Sequence, residues 1–532
     1  MIKSNHLALL AQNKLKKAGI CLQMDAWDEK MLEQQLPAVF VCNALLPGLD
    51  EWMLMALLAG SLQDVQLLHP YPTPAPKMLS EVCIRPRPRK LSDGIQSIGF
   101  AKKLDKTVKK GQSVVLVIDF SDNPISHLGK NMLRRNILEQ LYLSGVPIVP
   151  VHFQVEKTTG GMLRKNLPVF THGLLNNKEE IQVSARIGQA LTPADRAQFT
   201  KARIWGKFVQ AKIFALGSTL DVQPGLFAGK KKEGQQQPLV PAVDVQLLAA
   251  DVAALSPKCH VTARGPFDVY VAPAKALPNL MTEIARLREL TFRAAGEGTG
   301  KPLDMDAYDL YYLQLFVWDR ESRRLVGGYR LGPGDAIFKK YGVNGFYTNS
   351  LFKIKTSFYP ILEQAVELGR SYVAPDYQKH RLPLFLLWKG ILHYLMANPR
   401  YRYLYGPVSI SRFYSKVSKS LIVEFVKQYF YDEALAAMVR PRKPFRVRTK
   451  AVNTKLLAQN MKGEFESLES FVENIEPDHF KVPVLFRQYL KQNARFIAFN
   501  VDPLFADCLD GLMLLDIRDL PESTIEVLQQ ER

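Results

Sequence analysis

At 532 residues and 47% hydrophobic content, the chain is too long for one core and apolar enough to bury two or three. Seventy Lys and Arg against 51 Asp and Glu leave a formal charge of +19, which suits a polyanionic partner: nucleic acid, an anionic membrane face or a small acidic protein. Five scattered cysteines (Cys21, Cys42, Cys83, Cys259, Cys508) have neither CxxC nor metal-ligand spacing, which excludes a disulfide scaffold and fits free thiols in a reducing compartment.

Residues 1–19 carry Lys and Asn through their middle, unlike a signal peptide. The run VCNALLPGLDEWMLM (41–55) begins as a strand and breaks at Pro47-Gly48, after which Asp50 is placed to cap a helix. Basic runs at 85–90 (RPRPRK) and 101–111 (AKKLDKTVKKG) suit anionic lipid headgroups, at ~1 kcal/mol per basic residue near a surface. VVLVID (114–119) and VPIVPVHF (146–153) are β-rich, and GKNMLRRNILEQLYLSG between them has helical spacing, so a strand–helix–strand unit is predicted.

The Gly-, Pro-, Gln- and Lys-rich stretch 223–243 interrupts this periodicity. It sets the expected domains: 1–222, a linker at 223–245, and 246–532. Beyond it, 312–332 reads as a β-hairpin, 362–373 as a strand, and LPLFLLWKGILHYLMA (382–397) as a buried helix. The longest apolar run, 383–396, is interrupted by Lys389 and falls short of the ~18–20 residues of a membrane span. The charged loop 374–381 feeds that helix, whose free N–H groups can hold a phosphate.

Several ordered pieces then carry a family resemblance: LRELTF (287–292), DMDAYDLYYLQL (304–315), LVGGYRLG (325–332), NGFYTNSLFKI (344–354), ELGRSYVAPDYQ (367–378), LLWKGI (386–391) and YLYGPVSI (403–410). With 482–516, they resemble the N-acyltransferases of ornithine-lipid and related aminolipid synthesis, also called hemolysin-like. These are GNAT proteins similar to acyl-homoserine-lactone synthases. The resemblance spans most of 260–532, apart from a basic insertion near 440–450, and implies a GNAT-like α/β domain with a mixed sheet.

N-acylation of an amino acid needs a neutral amine, a positioned thioester and a hold on the acceptor carboxylate. Glu367 and Arg370 lie on opposite faces of a predicted strand unless a bulge intervenes. GNAT sheets splay or bulge at this strand, so both residues can line a cleft, where Glu367 binds or deprotonates the amine, directly or through water. Arg330 can hold a carboxylate with its fork geometry. Arg288 and Phe292 stand one helical turn apart as a cleft wall, and Asp306 and Asp309 share a face that attracts a cationic acceptor. In the signal-synthase relatives, the positions matching these seven residues form the functional set. Each also has a bracing alternative as a structural Arg–carboxylate pair or core residue.

The segment YQKHRLP (377–383) lacks the glycines with which GNAT enzymes approach the CoA pyrophosphate. Lys379, His380 and Arg381 can still meet one phosphate, as in a phosphopantetheine arm, or form a solvated charged turn. The resemblance likewise implies acyl carrier protein as donor, with no bound cofactor.

In the first half, 37–155 is similar to the phospholipid/glycerol acyltransferases of the lysophosphatidate type, whose Asn-His…Asp motif supplies a base and its orienting partner. Asn43, Gly48, Leu49 and Asp50 match, but Ala44 stands at the histidine position. The second motif, FSDNPIS (120–126), keeps Phe120 and Ser126 without the family's proline and glycine. His69, His127 and His152 are candidate substitute bases that packing explains equally well. A glycerolipid-acyltransferase-like α/β scaffold without catalysis is therefore expected, docking membrane or carrier protein.

The whole is expected to transfer a fatty acyl chain, with or without a 3-hydroxyl, from acyl carrier protein to the α-amine of an amino acid such as ornithine or glycine. Its expected partners are the carrier, an amino-acid acceptor and an anionic membrane surface, not nucleic acid, and its place is cytoplasmic and peripheral on the inner membrane. The alternatives are a bifunctional N- and O-acyltransferase, a non-enzymatic lipid or carrier binder, and a signal synthase.

Overall fold

A computed structural model describes residues 4–34, 37–46, 48–59, 62, 64–69, 79, 82–84, 97–120, 127–155, 181–217, 236–447, 452–476 and 479–529. The chain forms two compact units. The first takes Met1–Val222, Lys416–Leu421 and Thr449–Phe480, and the second takes Gln223–Ser415, Ile422–Arg448 and Lys481–Arg532. The break at 222/223 coincides with the compositional seam. Two later segments, however, belong with the first unit rather than with a single 246–532 domain.

The first unit holds a seven-stranded sheet in the order β1-β7-β6-β2-β5-β3-β4. Its strands are β1 (Ile20–Met24), β2 (Val39–Asn43), β3 (Val65–Leu68), β4 (Cys83–Ile84), β5 (Ser113–Ile118), β6 (Ile148–Val155) and β7 (Ile181–Ile187). Central β2 and β5 are buried at every position, as continuous apolar runs in a doubly covered parallel sheet must be. The helix His127–Ser144 joins β5 to β6, giving the predicted strand–helix–strand unit. Residues 85–90 and the motif at 121–126 lie outside the described residues, as does the side chain of His127.

Around the loop after β2, Asn43 and Asp50 both hold backbone. The Asn43 amide donates to the Phe153 carbonyl (3.0 Å) and accepts from the Phe153 N–H (2.8 Å), tying β2 to β6. Asp50 is not the helix cap. Leu49 holds that position, and Asp50 is the first residue of the helix Asp50–Leu58, its carboxylate reaching back to the N–H groups of Leu45 (2.8 Å) and Leu46 (2.7 Å). Ala44 packs its methyl against the core. His152 is buried edge-on against Phe214, where burial drags its pKa down to about 4. His69 is also buried, its Nδ1 3.6 Å from Glu51.

Burial pushes the Asp50 carboxyl up to about 6, against the pull of its two N–H donors. Such a group contributes stability that is complete below the ordinary carboxyl value of 3.8 and lost as pH climbs through about 6. Asp50→Asn keeps the accepting oxygen and has no proton to lose. Urea unfolding should therefore show the variant gaining on wild type between about pH 4 and pH 7, by on the order of 2–3 kcal/mol.

The late segment contributes the helices Thr454–Gln459 and Phe465–Ile475 to this unit. Asn474 donates to the Ile187 carbonyl (3.1 Å) and accepts from Arg186 (2.9 Å), which also pairs with buried Asp28 at 2.8 Å. Lys212 stands 3.9 Å over the Phe471 ring.

The second unit holds an eight-stranded sheet, β16-β17-β14-β13-β11-β10-β9-β8, and a two-stranded one, β12-β15. The strands are β8 (His260–Arg264), β9 (Phe267–Pro273), β10 (Leu313–Asp319), β11 (Arg324–Pro333), β12 (Phe352–Ile354), β13 (Ala365–Val373), β14 (Tyr403–Ile410), β15 (Val439–Pro441), β16 (Arg495–Asp502) and β17 (Cys508–Asp516). The predicted hairpin is β10–β11. The strand expected from 362 starts at Ala365, because Tyr359–Glu363, with Pro360 in its first turn, is helical. The helix Leu382–Ala397 matches its predicted span. Of the linker, 236–243 is irregular, and Gln237 and Val240 donate to the carbonyls of Gly300 and Pro302. Among the described residues, no helix is long and apolar enough to cross a membrane.

Neighbouring strands of the large sheet run antiparallel except β13 and β14, which are parallel. Their pairing covers Ala365–Glu367 against Tyr403–Tyr405, and there the ladder ends. The strands part at Gly406.

Candidate active site

A cleft of about 210 Å³ opens where β13 and β14 part. Phe292, Leu368, Val408, Leu485, Phe505 and Met513 give it apolar walls. Glu297, Tyr347, Arg370, Ser409 and Asp510 bring polar groups to the same space.

Arg370 reaches the cleft through a bulge. Gly328 pairs with Tyr372 and Arg330 with Gly369, so two steps on β11 face three on β13. Arg370 takes up the extra residue with φ +51°, a left-handed conformation uncommon for a side chain of its size. Its Nε lies 2.9 Å from Asp304, one amino group 3.5 Å from Asp306, and another donates to the Tyr347 hydroxyl at 3.2 Å.

Behind it stands a buried ladder of opposite charges. Arg288 gives both amino groups to Asp309 (2.9 and 3.0 Å) and one to Gln314 (2.8 Å). Arg330 meets Asp306 at 2.6 Å and Asp309 at 3.4 Å, beneath the rings of Tyr308, Tyr312 and Tyr347. Burial alone would raise the Asp309 pKa, but Arg288 and Arg330 hold it at about 2. Each guanidinium is 1% exposed and committed to these aspartates, so neither Arg288 nor Arg330 lies open to an acceptor carboxylate. Asp306 and Asp309 are neutralised in turn, leaving little field to attract a second amine. Phe292 does form cleft wall, edge-on to Phe505 at 5.2 Å.

Glu367 sits apart from the cleft lining. It is 1% exposed, accepts from the Tyr312 hydroxyl and takes the Thr348 N–H at 2.7 Å. Burial raises its pKa against those donors. In this arrangement the carboxylate braces β13 against Tyr312 and Thr348.

Lys379, His380 and Arg381 are exposed on the turn that enters the helix Leu382–Ala397. They do not line the cleft. Their position, at a helix N-terminus following β13, suits a phosphate held outside the cavity.

Sequence reasoning missed two carboxyls. Glu297 sits in AAGEGTG, just beyond the helix Leu280–Ala294, where Gly296 takes φ +74° to turn the chain. Glu289 fixes that loop through the N–H groups of Thr299 (3.1 Å) and Gly300 (2.8 Å), and Ser411 ties down Ala295 at 2.6 Å. Asp510 stands in β17, opposite Ser409 of β14, whose hydroxyl donates to it at 2.8 Å. A lone acid inside the apolar run of β17 was the available signal.

A protein-family model described as "Acetyltransferase (GNAT) domain" matches residues 287–388, which contain the bulge, the charge ladder and β13. The second unit carries a GNAT domain.

The chain is similar, at 28% identity over 299 residues, to the glycine N(alpha)-acyltransferases of Phocaeicola vulgatus and Bacteroides thetaiotaomicron. Each match takes in 53% of this chain and 90% or 87% of the relative. Domain and relatives together make it an N-acyltransferase. A crystal structure of the 1-acyl-sn-glycerophosphate acyltransferase of Thermotoga maritima aligns over 39% of this chain and 74% of that one. At 11% identity and a TM-score of 0.24, that alignment assigns no fold.

Proposed function

We propose that this N-acyltransferase moves a fatty acyl chain from acyl carrier protein to the α-amine of a small amino acid, glycine foremost, yielding a single-chain aminolipid. The observation that carries this reading is the cleft at the parting of β13 and β14, apolar along its walls and lined by the ionisable groups of Arg370, Glu297 and Asp510. A thioester carbonyl lodged there would have apolar side chains for its acyl tail. Arg370, which lines the cleft while paired with Asp304 and Asp306, is the cation that an acceptor carboxylate would meet there. Glycine is preferred to ornithine because Asp306 and Asp309 are already spent on arginines. The glycine-free turn bearing Lys379, His380 and Arg381 favours a donor with one phosphate, as on a carrier protein's phosphopantetheine, over CoA.

The first unit is proposed as a non-catalytic scaffold, since Ala44 cannot take a proton and Asn43 and Asp50 are engaged with backbone. Exposed Lys102, Lys103 and Lys106 on the helix Ser97–Lys109 support an anionic membrane surface as its contact.

Incubating the protein with acyl-carrier-protein or acyl-CoA thioester and a panel of glycine, serine, ornithine and lysine tests this by mass spectrometry. N-acylglycine should dominate, with the carrier thioester favoured at least about tenfold, ~1.4 kcal/mol in kcat/KM. Absence of N-acyl product with every acceptor would leave a binding role instead. Conversion of added lyso-lipid to a two-chain product would overturn the scaffold assignment.

A further inference from the structure

An N-acyltransferase must remove a proton from its acceptor, because an amino acid arrives as an ammonium ion. The residue the sequence offers for this, Glu367, stands behind β13 with its oxygens engaged by Tyr312 and Thr348. Glu297 and Asp510 line the cleft itself. We propose that these two carboxyls form the acidic pair that binds the acceptor ammonium and takes its proton, with Glu367 a positioning residue. The proposal rests on the amino-acid N-acyltransferase reading given above.

The geometry is that of a built site. Glu297 is carried on a loop fixed by Glu289 on one side and by Ser411 on the other. Phe413 covers Gly296 so closely that a Cβ there would meet its ring at 2.4 Å. The Glu297 carboxyl has no hydrogen-bond partner among the described residues, whereas Asp510 is 2% exposed and oriented by Ser409 at 2.8 Å and by the Cys508 thiol at 3.5 Å. Arg370 shares the cleft, so an α-amino acid would find a cation for its carboxylate and two acids for its ammonium.

Their proton affinity suits the task. Burial, and then the Asp510 charge, push Glu297 up to about 8. Burial also lifts Asp510 to about 7, eased by Ser409, raised by Asp502 and lowered by Arg370. Tyr347 and Cys508 also face Asp510. A base of this kind is ionised for part of the time near neutrality and retains real basicity.

The ammonium gives one proton to the pair. The freed nitrogen lone pair forms the N–C bond to the thioester carbonyl, and the C–S bond breaks with its electrons on sulfur. The second nitrogen proton leaves as the adduct collapses and balances the thiolate to a thiol. The pair returns its proton to water, so one proton is released per turnover.

Because the pair accepts protons only when ionised, kcat/KM should rise with pH through an acid limb between about 7 and 8. Glu297→Gln and Asp510→Asn should each lower kcat/KM at about pH 7 by ~10²-fold or more and displace that limb. The deficit should shrink at about pH 9.5, where solvent deprotonates more of the amine. Glu367→Gln should cost less than about tenfold and leave the limb in place. Wild-type rates and an unmoved limb in both cleft variants, or loss of the limb in Glu367→Gln alone, overturn the assignment. Should Asp510→Asn fail to fold, Glu297→Gln decides.

Glycine binding, followed by calorimetry in two buffers of different ionisation enthalpy, gives a readout independent of turnover. An ammonium beside the pair lowers its proton affinity, so wild type should release protons at about pH 7 and Glu297→Gln markedly fewer. Proton release without N-acyl product would keep the pair and sink the N-acyltransferase reading. Product formation with no change in release between the two proteins would do the reverse.

Discussion

Arg330→Ala should lose about 3–5 kcal/mol of stability, the cost of stranding buried charge without its partner. The side chain is 1% exposed and answers Asp306 at 2.6 Å and Asp309 at 3.4 Å. Three tyrosine rings lie within 5.6 Å of its guanidinium carbon, so the truncation also opens a cavity under Tyr308, Tyr312 and Tyr347. Asp309 supplies a pH signature. Its folded pKa of about 2 lies below the ordinary 3.8, so in wild type it contributes stability present above 3.8 and lost as pH falls through about 2. Without Arg330 that depression shrinks, since Arg288 alone remains beside it. Urea unfolding near neutrality should show the full deficit, and unfolding at about pH 4 a smaller one, because stranded carboxyls can then take up protons. Equal deficits at both pH values would mean that lost packing, not lost charge, sets the cost.

Gly406→Ala should be nearly as damaging to turnover as removal of a cleft acid. A Cβ at Gly406 would stand 2.1 Å from the Leu368 carbonyl oxygen, a contact relieved only by moving backbone. Leu368 follows the last paired residue of β13, and Gly406 the last of β14, so the strain falls where the ladder ends and the cleft begins. A stability loss of about 1–3 kcal/mol is expected from overpacking of this kind. Turnover should fall by ~10²-fold, as misplacing a reacting group by about 1 Å does. Thermal melts and kcat/KM on the same preparation separate the two effects. Near-normal kinetics would show that the cleft tolerates a shift of its own apex.

The sequence was readable where periodicity fixes a face. β5, β6, the β10–β11 hairpin and the helix Leu382–Ala397 all follow from apolar spacing, and the GNAT-like second half follows from ordered motifs. Periodicity does not choose partners, and this limited the site. Arg288, Arg330, Asp306 and Asp309 were legible as site residues with a bracing alternative, but their pairing with one another depends on distances between three separate segments. The need for a bulge between Glu367 and Arg370 was legible from alternation, whereas its consequence, Arg370 in the cleft and Glu367 behind it, was not. Glu297 was masked by a glycine-rich stretch that reads as a loop. Asp510 was masked by belonging to a segment noted for its resemblance rather than for its acids. In the first unit the same limit applied to Asn43 and Asp50, which look like remnants of chemistry and serve as backbone clasps.

The return of Thr449–Phe480 to the first unit sets the order in which this chain can complete itself. A ribosome releases β1 through β7 long before it makes Asn474, so the Ile187 carbonyl and Arg186 wait for their partner through most of the second unit's synthesis. The half made first is therefore finished only once Phe480 has been made, shortly before β16 and β17 complete the second sheet. A translation product stopped in the seam at 223 would hold every strand of its sheet and still lack the helix Phe465–Ile475 that closes it.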